Sequence, residues 1–210
     1  MCEGASRRWL LLVVGRHIAD LPRENEAMTA QILQLIDEEH AVISRLLRLI
    51  EREVEQFRSG GDADLVLLEL VLAYMADYPD RFHHPKEDLI FAALKRRHAD
   101  SAAFVGRLSL EHERVAKLTR DLAALVERLI EDASMARNVF VDAANSYLTF
   151  QRVHMAFENE ILFPAALAHL EPQDWAELDA ELETLADPLS GAGRDAGRFQ
   201  RLREAILPAA

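Results

Sequence analysis

The sequence predicts an all-α protein: an up-down-up-down four-helix bundle with a kinked second helix and additional C-terminal helices. Apolar residues recur at spacings of three and four between Met28 and Leu170, which is the period of amphipathic helices. No segment of any length alternates polar and apolar residues as a strand would. Short turns join the periodic segments, and short turns place consecutive helices antiparallel.

The first and third helices each carry an apolar stripe that contains one histidine. The stripe of the first helix is Leu33, Ile36, His40, Ile43, Leu47, Ile50 and Val54. The stripe of the third helix is Val105, Leu108, His112, Val115, Leu122, Val126 and Leu129. Because an unpaired polar group in a core is costly, His40 and His112 are candidates for a buried function.

The second helix, about residues 63–97, is predicted to break near Tyr78 and Pro79, because proline cannot donate a helical hydrogen bond. One face of its second part carries His83, Glu87, Ile90 and Leu94. A rival face, about 100° away, carries His84 and Asp88. We assign the first face to the core because apolar residues continue it, and His84 stays a candidate for an extra ligand or a supporting group.

The fourth helix, about residues 137–169, repeats a histidine and a glutamate four residues apart on an apolar stripe. That stripe is Phe140, Ala144, Tyr147, Gln151, His154, Glu158, Ile161 and Ala165. Tyr147 and Gln151 lie within two turns before His154 and are candidates to support it, although Tyr147 is equally explained by core packing. A fifth helix over Pro172–Leu185 should pack on or near the bundle.

Distances along the chain from each shared turn place these candidates at one level of the bundle. His40 lies 20 residues before Gly60, and His83 lies 22 residues after Gly61. At about 1.5 Å rise per residue, the two positions differ by about 3 Å along the bundle axis. The same count around the other turns completes one layer, which contains His40, His83, Glu87, His112, His154 and Glu158.

Four imidazoles and two carboxylates in a core are too costly to leave unpaired, and metal ions remove that cost. Imidazole favours iron, zinc, copper or nickel, and a carboxylate from each of two helices can bridge two ions. The natural assignment gives one ion His40 and His83 and the other His112 and His154, with Glu87 and Glu158 shared. Two imidazoles per ion plus the bridges leave open positions for solvent or a diatomic ligand.

The net charge and the cysteine count argue against several classes of binding partner and of metal site. The net charge of -12 argues against nucleic acid and anionic membranes as partners. The single cysteine, Cys2, excludes an intrachain disulfide, a cysteine-rich zinc site and an iron–sulfur cluster. His17, His98 and His169 fall outside the layer and are expected to be solvated.

The chain is predicted to divide into three parts. Residues 1–27 form a non-core extension, residues 28–170 the bundle, and residues 171–210 a helical appendage that ends in a short helix over Arg198–Leu207. The apolar run at residues 9–15 is too short for a signal peptide or a membrane span, so the expected location is the cytoplasm.

The order and spacing of these residues resemble the hemerythrin-like family of HHE cation-binding domains, over roughly residues 28–170. The motifs that carry the resemblance are His40, His83-His84-Pro85-Lys86-Glu87, His112 and His154-Met155-Ala156-Phe157-Glu158. Flanking motifs such as Asp77-Tyr78-Pro79-Asp80 look like those of its bacterial cytoplasmic members. The resemblance implies two iron ions, which solvent can bridge, with the four histidines as terminal ligands and the two glutamates as bridges.

Two departures from oxygen-carrying hemerythrins bear on function. Those proteins have a further histidine one turn after the third-helix ligand, where this chain has Ala116. Their last carboxylate is an aspartate five residues after its histidine, whereas Glu158 follows His154 by four. The pattern is closer to variant domains implicated in iron or oxygen sensing, iron handling and stress responses, and it disfavours reversible oxygen carriage.

The sequence therefore predicts a non-haem di-iron protein that senses, binds or handles dioxygen, nitric oxide or iron. The alternative is a di-iron enzyme that uses the same site to consume peroxide, oxidise iron or repair iron centres. A metal-free helical interaction module is a third hypothesis, but it leaves the buried ionisable layer unexplained.

Overall fold

A computed structural model of the chain describes residues 30–131, 137–182 and 202. Its α-helices are α1 Gln31–Ser59, α2 Leu65–Tyr78, α3 His84–Arg97, α4 Ala102–Glu131, α5 Arg137–Phe157, α6 Phe163–His169 and α7 Pro172–Glu181. The described residues contain no strand, so the predicted all-α class is confirmed. The predictions for Cys2, His17 and residues 1–27 lie outside the described residues, as does the Arg198–Leu207 helix apart from Leu202.

The helices form the predicted up-down-up-down bundle, whose four arms are α1, α2 with α3, α4, and α5 with α6. Helix α1 packs against α2 and α5, and α4 packs against the same two helices, so the arms close into a square. None of the described helices combines the length and apolarity needed to cross a membrane.

The first reversal of the chain depends on Gly60 and Asp64. Gly60 has φ 80°, in the left-handed region where a side chain would be strained, and this ends α1. The N–H groups of Gly60 and Gly61 donate to carbonyls of the last turn of α1 at 3.2 and 2.8 Å. Asp64 then caps α2 by accepting a hydrogen bond from the Leu67 N–H at 2.8 Å. These contacts therefore fix where α2 starts relative to the end of α1.

The predicted break near Tyr78 and Pro79 is confirmed. Helix α2 ends at Tyr78, and a π-helical turn over Pro79–His83 leads into α3. Such a turn takes up an extra residue, and it changes the faces that the following residues present. Both His83 and His84 are buried as a result, at 3% and 7% exposure.

The fourth arm departs from the predicted stripe at its end. A second π-helical turn, Glu158–Leu162, joins α5 to α6. The extra residue advances the core positions by one, so Leu162 and Ala166 are buried, while Ile161 and Ala165 are only half-buried. The sequence stripe was therefore wrong by one residue beyond Glu158.

Helix α7 covers the end of the bundle where α1 begins. The Asp179 carboxylate accepts hydrogen bonds from the backbone N–H groups of Gln31 and Ile32 at 3.1 and 2.9 Å, so it caps α1 from another helix. Leu178 joins an apolar cluster with residues of α1 and α3. The predicted fifth helix is present but ends at Glu181, and residues 183–185 lie outside the described part.

Two apolar clusters enclose the candidate layer from above and below. One contains Ile43 and Tyr147, and the other contains Ile36 and Ile90. His40 lies on α1 between Ile36 and Ile43. The polar layer is thus closed off by packed side chains along the bundle axis.

Candidate metal centre

Glu87 of α3 holds its carboxylate among three imidazoles. Its Oε1 lies 3.3 Å from His83 Nε2 and 3.5 Å from His40 Nε2. Its Oε2 lies 3.2 Å from His112 Nε2. The two oxygens of one carboxylate therefore face histidines of opposite halves of the layer, as a bridging ligand would.

Glu158, at the start of the second π-helical turn, has the reciprocal arrangement. Its Oε1 lies 3.1 Å from His154 Nε2 and 3.4 Å from His112 Nε2. Its Oε2 lies 3.5 Å from His40 Nε2. The structure thus brings together all six residues of the sequence-derived layer, and each is at most 8% exposed.

The donor atoms fit metal ions. Two ligands at right angles on one ion, each with a bond of about 2.1 Å, lie about 3.0 Å apart, close to the observed nitrogen–oxygen distances. Among the described residues, no hydrogen-bond donor reaches the buried Oε1 and Oε2 of Glu87 or the Oε2 of Glu158. Three buried carboxylate oxygens without donors are costly, and a cation between them and the Nε2 atoms removes the cost.

Partners on the far side of three imidazoles fix their orientation. Each of these Nδ1 atoms faces an oxygen: His83 faces Glu39 at 2.9 Å, His154 faces Glu111 at 3.2 Å, and His40 faces Asn159 at 3.1 Å. Since these oxygens accept, the Nδ1 atoms carry a proton, and in the neutral imidazole the Nε2 lone pair points into the layer. This is the tautomer that a metal ligand needs.

Two of those partners are themselves held by cations. The Glu39 carboxylate accepts a hydrogen bond from Lys86 Nζ at 2.7 Å, and Lys86 is only 1% exposed. Lys86 also donates to the Phe82 carbonyl at 2.6 Å. The Glu111 carboxylate accepts from Arg107 Nε at 2.6 Å. The orientation of His83 and His154 thus rests on chains of charge-assisted hydrogen bonds.

The sequence reasoning missed these supporting residues, but one signal was available. Glu39 lies seven residues after Ile32 and seven before Leu46, and both of those residues are fully buried. A charged residue at the helical repeat of a buried stripe marks a buried partner. Glu111 has the same spacing, seven residues after Phe104 and seven before Leu118, although both of these residues are only half-buried.

The carboxylates and imidazoles of the layer shift one another's pKa. Burial opposes the charged form of His83, but the negative charge of the nearby Glu87 carboxylate and a hydrogen bond to Glu39 raise its pKa to about 10. Burial likewise opposes charging His112, yet a hydrogen bond to Glu158 and the negative charge of the nearby Glu87 carboxylate raise its pKa to about 9. Burial would raise the pKa of Glu87, but the surrounding imidazoles hold it well below its usual range. The layer therefore favours positive charge between its carboxylates.

His84 lies at the edge of the same layer. Its ring stacks on that of His112, with centroids 3.9 Å apart and planes 10° apart. Ring nitrogens of His84, His112 and His154 all lie within 4.8 Å of one another. Burial lowers the pKa of His84, which keeps the imidazole neutral near pH 7. A cleft of about 830 Å³, also lined by Asp80 and Ala116, opens beside the His84 and His112 rings.

The remaining candidates have local partners. His98 and His169 stack on each other at 3.8 Å, and neither belongs to a cluster of ligand atoms in the described residues. Gln151 donates a hydrogen bond to the Tyr147 hydroxyl at 3.2 Å, and burial raises the pKa of Tyr147 to about 12. The rival acid Asp88 is exposed, whereas Glu87 is fully buried.

Comparison with known proteins agrees with this geometry. The hemerythrin HHE cation-binding domain matches residues 31–166, which contain every residue of the layer. No curated protein matches the chain. The match spans more than half of the 210 residues. The chain therefore belongs to the hemerythrin family of HHE cation-binding domains.

Proposed function

We propose that this chain binds two iron ions in the layer and uses them to bind, sense or handle dioxygen, nitric oxide or iron. One observation carries the proposal: two fully buried carboxylates each face imidazoles of both halves of the layer, and three of their four oxygens lack a hydrogen-bond donor among the described residues. The residues that would hold the ions are His40, His83, Glu87, His112, His154 and Glu158.

Iron suits this donor set because imidazole and carboxylate are its usual ligands in helix bundles with two metal ions. Bound iron would supply redox chemistry and open coordination positions. The chain's own residues orient the imidazoles through Glu39, Glu111 and Asn159, and the two apolar clusters shield the layer along the bundle axis. We expect a small diatomic ligand or iron as the partner, with no role for nucleic acid or membranes, and a cytoplasmic location.

A second candidate function is a di-iron enzyme that consumes peroxide, oxidises iron or repairs iron centres. The cleft beside His84 and His112 favours it, since about 830 Å³ is far more room than a diatomic ligand needs. Its lining includes both acidic and basic side chains, among them Asp80 and Arg120, which would suit a polar substrate.

Metal analysis with an optical spectrum tests the proposal. Protein expressed with added iron should carry close to two irons per chain, and its absorption should change with reductant, oxygen and nitric oxide. Glu158→Ala should lose metal, while Glu160→Ala, an exposed residue of the same π-helical turn, should keep it. A colourless, metal-free wild type would contradict the proposal, and turnover of peroxide by the loaded protein would favour the enzyme.

A further inference from the structure

We infer that Lys86 sets the oxidation state in which the chain holds its iron: its buried ammonium group favours divalent over trivalent ions in the layer. The inference rests on the proposed function, because it concerns the regulation of the same centre. Lys86 acts through Glu39 and is not itself a ligand.

The charge of Lys86 is buried beside the layer. Its side chain is 1% exposed, and no other lysine or arginine is buried among the residues that the structure describes. Its Nζ donates hydrogen bonds to the Glu39 carboxylate at 2.7 Å and to the Phe82 carbonyl at 2.6 Å. Since these acceptors stand in place of water, solvent does little to screen the positive charge.

Stability does not explain a charge at this position. Replacing a buried ion pair by apolar side chains of similar volume is often neutral or stabilising. The pair of Lys86 with Glu39 is therefore not needed to fill the space between α1 and α3, and its charges can serve the centre.

Glu39 links the charge of Lys86 to a candidate ligand. One oxygen of its carboxylate accepts from Lys86, and the other lies 2.9 Å from Nδ1 of His83. A carboxylate behind a ligating imidazole makes that imidazole a stronger electron donor, and a stronger donor favours the ion of higher charge. The ammonium group of Lys86 offsets the negative charge of the same carboxylate. It therefore opposes this effect and favours the divalent ion.

The other supporting carboxylate is held by a cation that water can reach. Glu111 faces His154 and accepts a hydrogen bond from Arg107 at 2.6 Å. The Arg107 side chain is 54% exposed, so water and salt screen its charge. Of the two supporting cations, Lys86 thus acts on the layer with less screening.

The expected effect follows from Coulomb's law. Each iron that is oxidised adds one positive charge to the layer, and the ammonium group of Lys86 repels that charge. At a separation of about 10 Å and an effective dielectric constant of about 20, the repulsion changes the ratio of oxidised to reduced iron by roughly tenfold. A tenfold change corresponds to about 59 mV in a one-electron potential.

Redox titration of the iron-loaded protein tests the inference. Wild type, Lys86→Met and Lys95→Met are titrated with dithionite and ferricyanide in the presence of mediators, and their optical and electron paramagnetic resonance spectra are recorded. Each iron gains one electron from dithionite or gives one to ferricyanide. We expect the midpoint potential of Lys86→Met to fall by about 59 mV. Lys95→Met removes an equal charge from an exposed position of α3 and should match wild type.

A comparison of two metal ions repeats the test without a redox reaction. Zinc(II) and gallium(III) compete for the metal-free protein, and the ratio of their affinities is measured. In Lys86→Met this ratio should shift roughly tenfold towards gallium. A purely structural role of Lys86 would weaken the binding of both ions equally.

Either an unchanged midpoint potential or an unchanged affinity ratio in Lys86→Met would overturn the inference and leave the proposed function standing. A wild type that binds no iron would overturn both. If circular dichroism shows that Lys86→Met fails to fold, Glu39→Gln is compared with the double variant that also carries Lys86→Met. Neither of these variants leaves a buried carboxylate without its cation. The double variant should have the lower midpoint potential, and equal potentials would overturn the inference.

Discussion

Replacing Glu39 by glutamine removes the negative charge from the series of hydrogen bonds that orients His83, and it keeps the shape of the side chain. The carboxylate now faces His83 Nδ1 at 2.9 Å and Lys86 Nζ at 2.7 Å, and both partners are buried. After the substitution, Lys86 keeps the Phe82 carbonyl as a hydrogen-bond acceptor but loses its counter-charge. The His83 imidazole loses the strong acceptor that holds its tautomer.

The substitution should lower both the stability of the fold and the affinity for metal. Removing one partner of a buried ion pair costs about 3–5 kcal/mol, and the remaining amide oxygen of glutamine favours the lower end, about 3 kcal/mol. At about 2–4 °C per kcal/mol for a chain of this size, the melting temperature should fall by about 6–12 °C. Metal affinity should fall by about 10–100-fold, the usual effect of removing the partner of a ligating histidine.

A double variant separates the two effects. Glu39→Gln with Lys86→Met removes the unpaired ammonium and should recover most of the stability, but it should not recover metal affinity. Stability is measured by urea unfolding of the metal-free protein, and affinity by chelator competition. Glu55→Gln, in an exposed pair with Arg58, is the matched control and should change neither quantity. Wild-type metal affinity in the single variant would refute the role assigned to Glu39.

Three further predictions concern metal, pH and Tyr147. Metal at 100 times its dissociation constant stabilises the fold by about 2.7 kcal/mol, so a strong chelator should lower the melting temperature by about 5–11 °C; no shift would argue against a stabilising metal. In the chelated protein, the pKa values of His83 (about 10) and His112 (about 9) are raised, so the protonated imidazoles stabilise the folded state. This stabilisation is fully present below the ordinary pKa of 6.5 and is lost as pH rises through 9 to 10. Bound metal replaces those protons, so the difference in melting temperature between loaded and chelated protein should widen from pH 6.5 to 9, whereas a constant difference would contradict the linkage. Tyr147→Phe removes the hydroxyl that accepts a hydrogen bond from the Gln151 amide, so the free energy of unfolding in urea should fall by about 1–3 kcal/mol without loss of metal. A fall in metal content would instead show that Tyr147 supports the ligands.

The bundle and the candidate layer follow from periodicity and from counting residues to the turns. Both kinds of inference work because they use only helix geometry: a histidine inside an apolar stripe must be buried, and equal distance from a turn sets its height. His40 and His112 illustrate this, since each interrupts a stripe that the structure buries along its length.

The π-helical turns and the supporting partners could not be predicted in the same way. A regular helical period does not reveal an inserted residue, so the predicted stripe is one residue out of register beyond Glu158. For the same reason His83 and His84 were assigned to two competing faces, although both are buried. Contacts between helices, such as Glu39 with Lys86 or Asp179 with the first turn of α1, depend on side-chain reach across the bundle, which spacing along one helix does not encode.

Anomalous diffraction at the iron absorption edge, from crystals of the iron-loaded protein, tests the central claim most directly. We predict two peaks between the Glu87 and Glu158 carboxylates, about 3.5–4 Å apart, as in other sites with two metal ions. One peak should lie beside His40 and His83, and the other beside His112 and His154. A single peak, or iron beside other residues, would contradict the account.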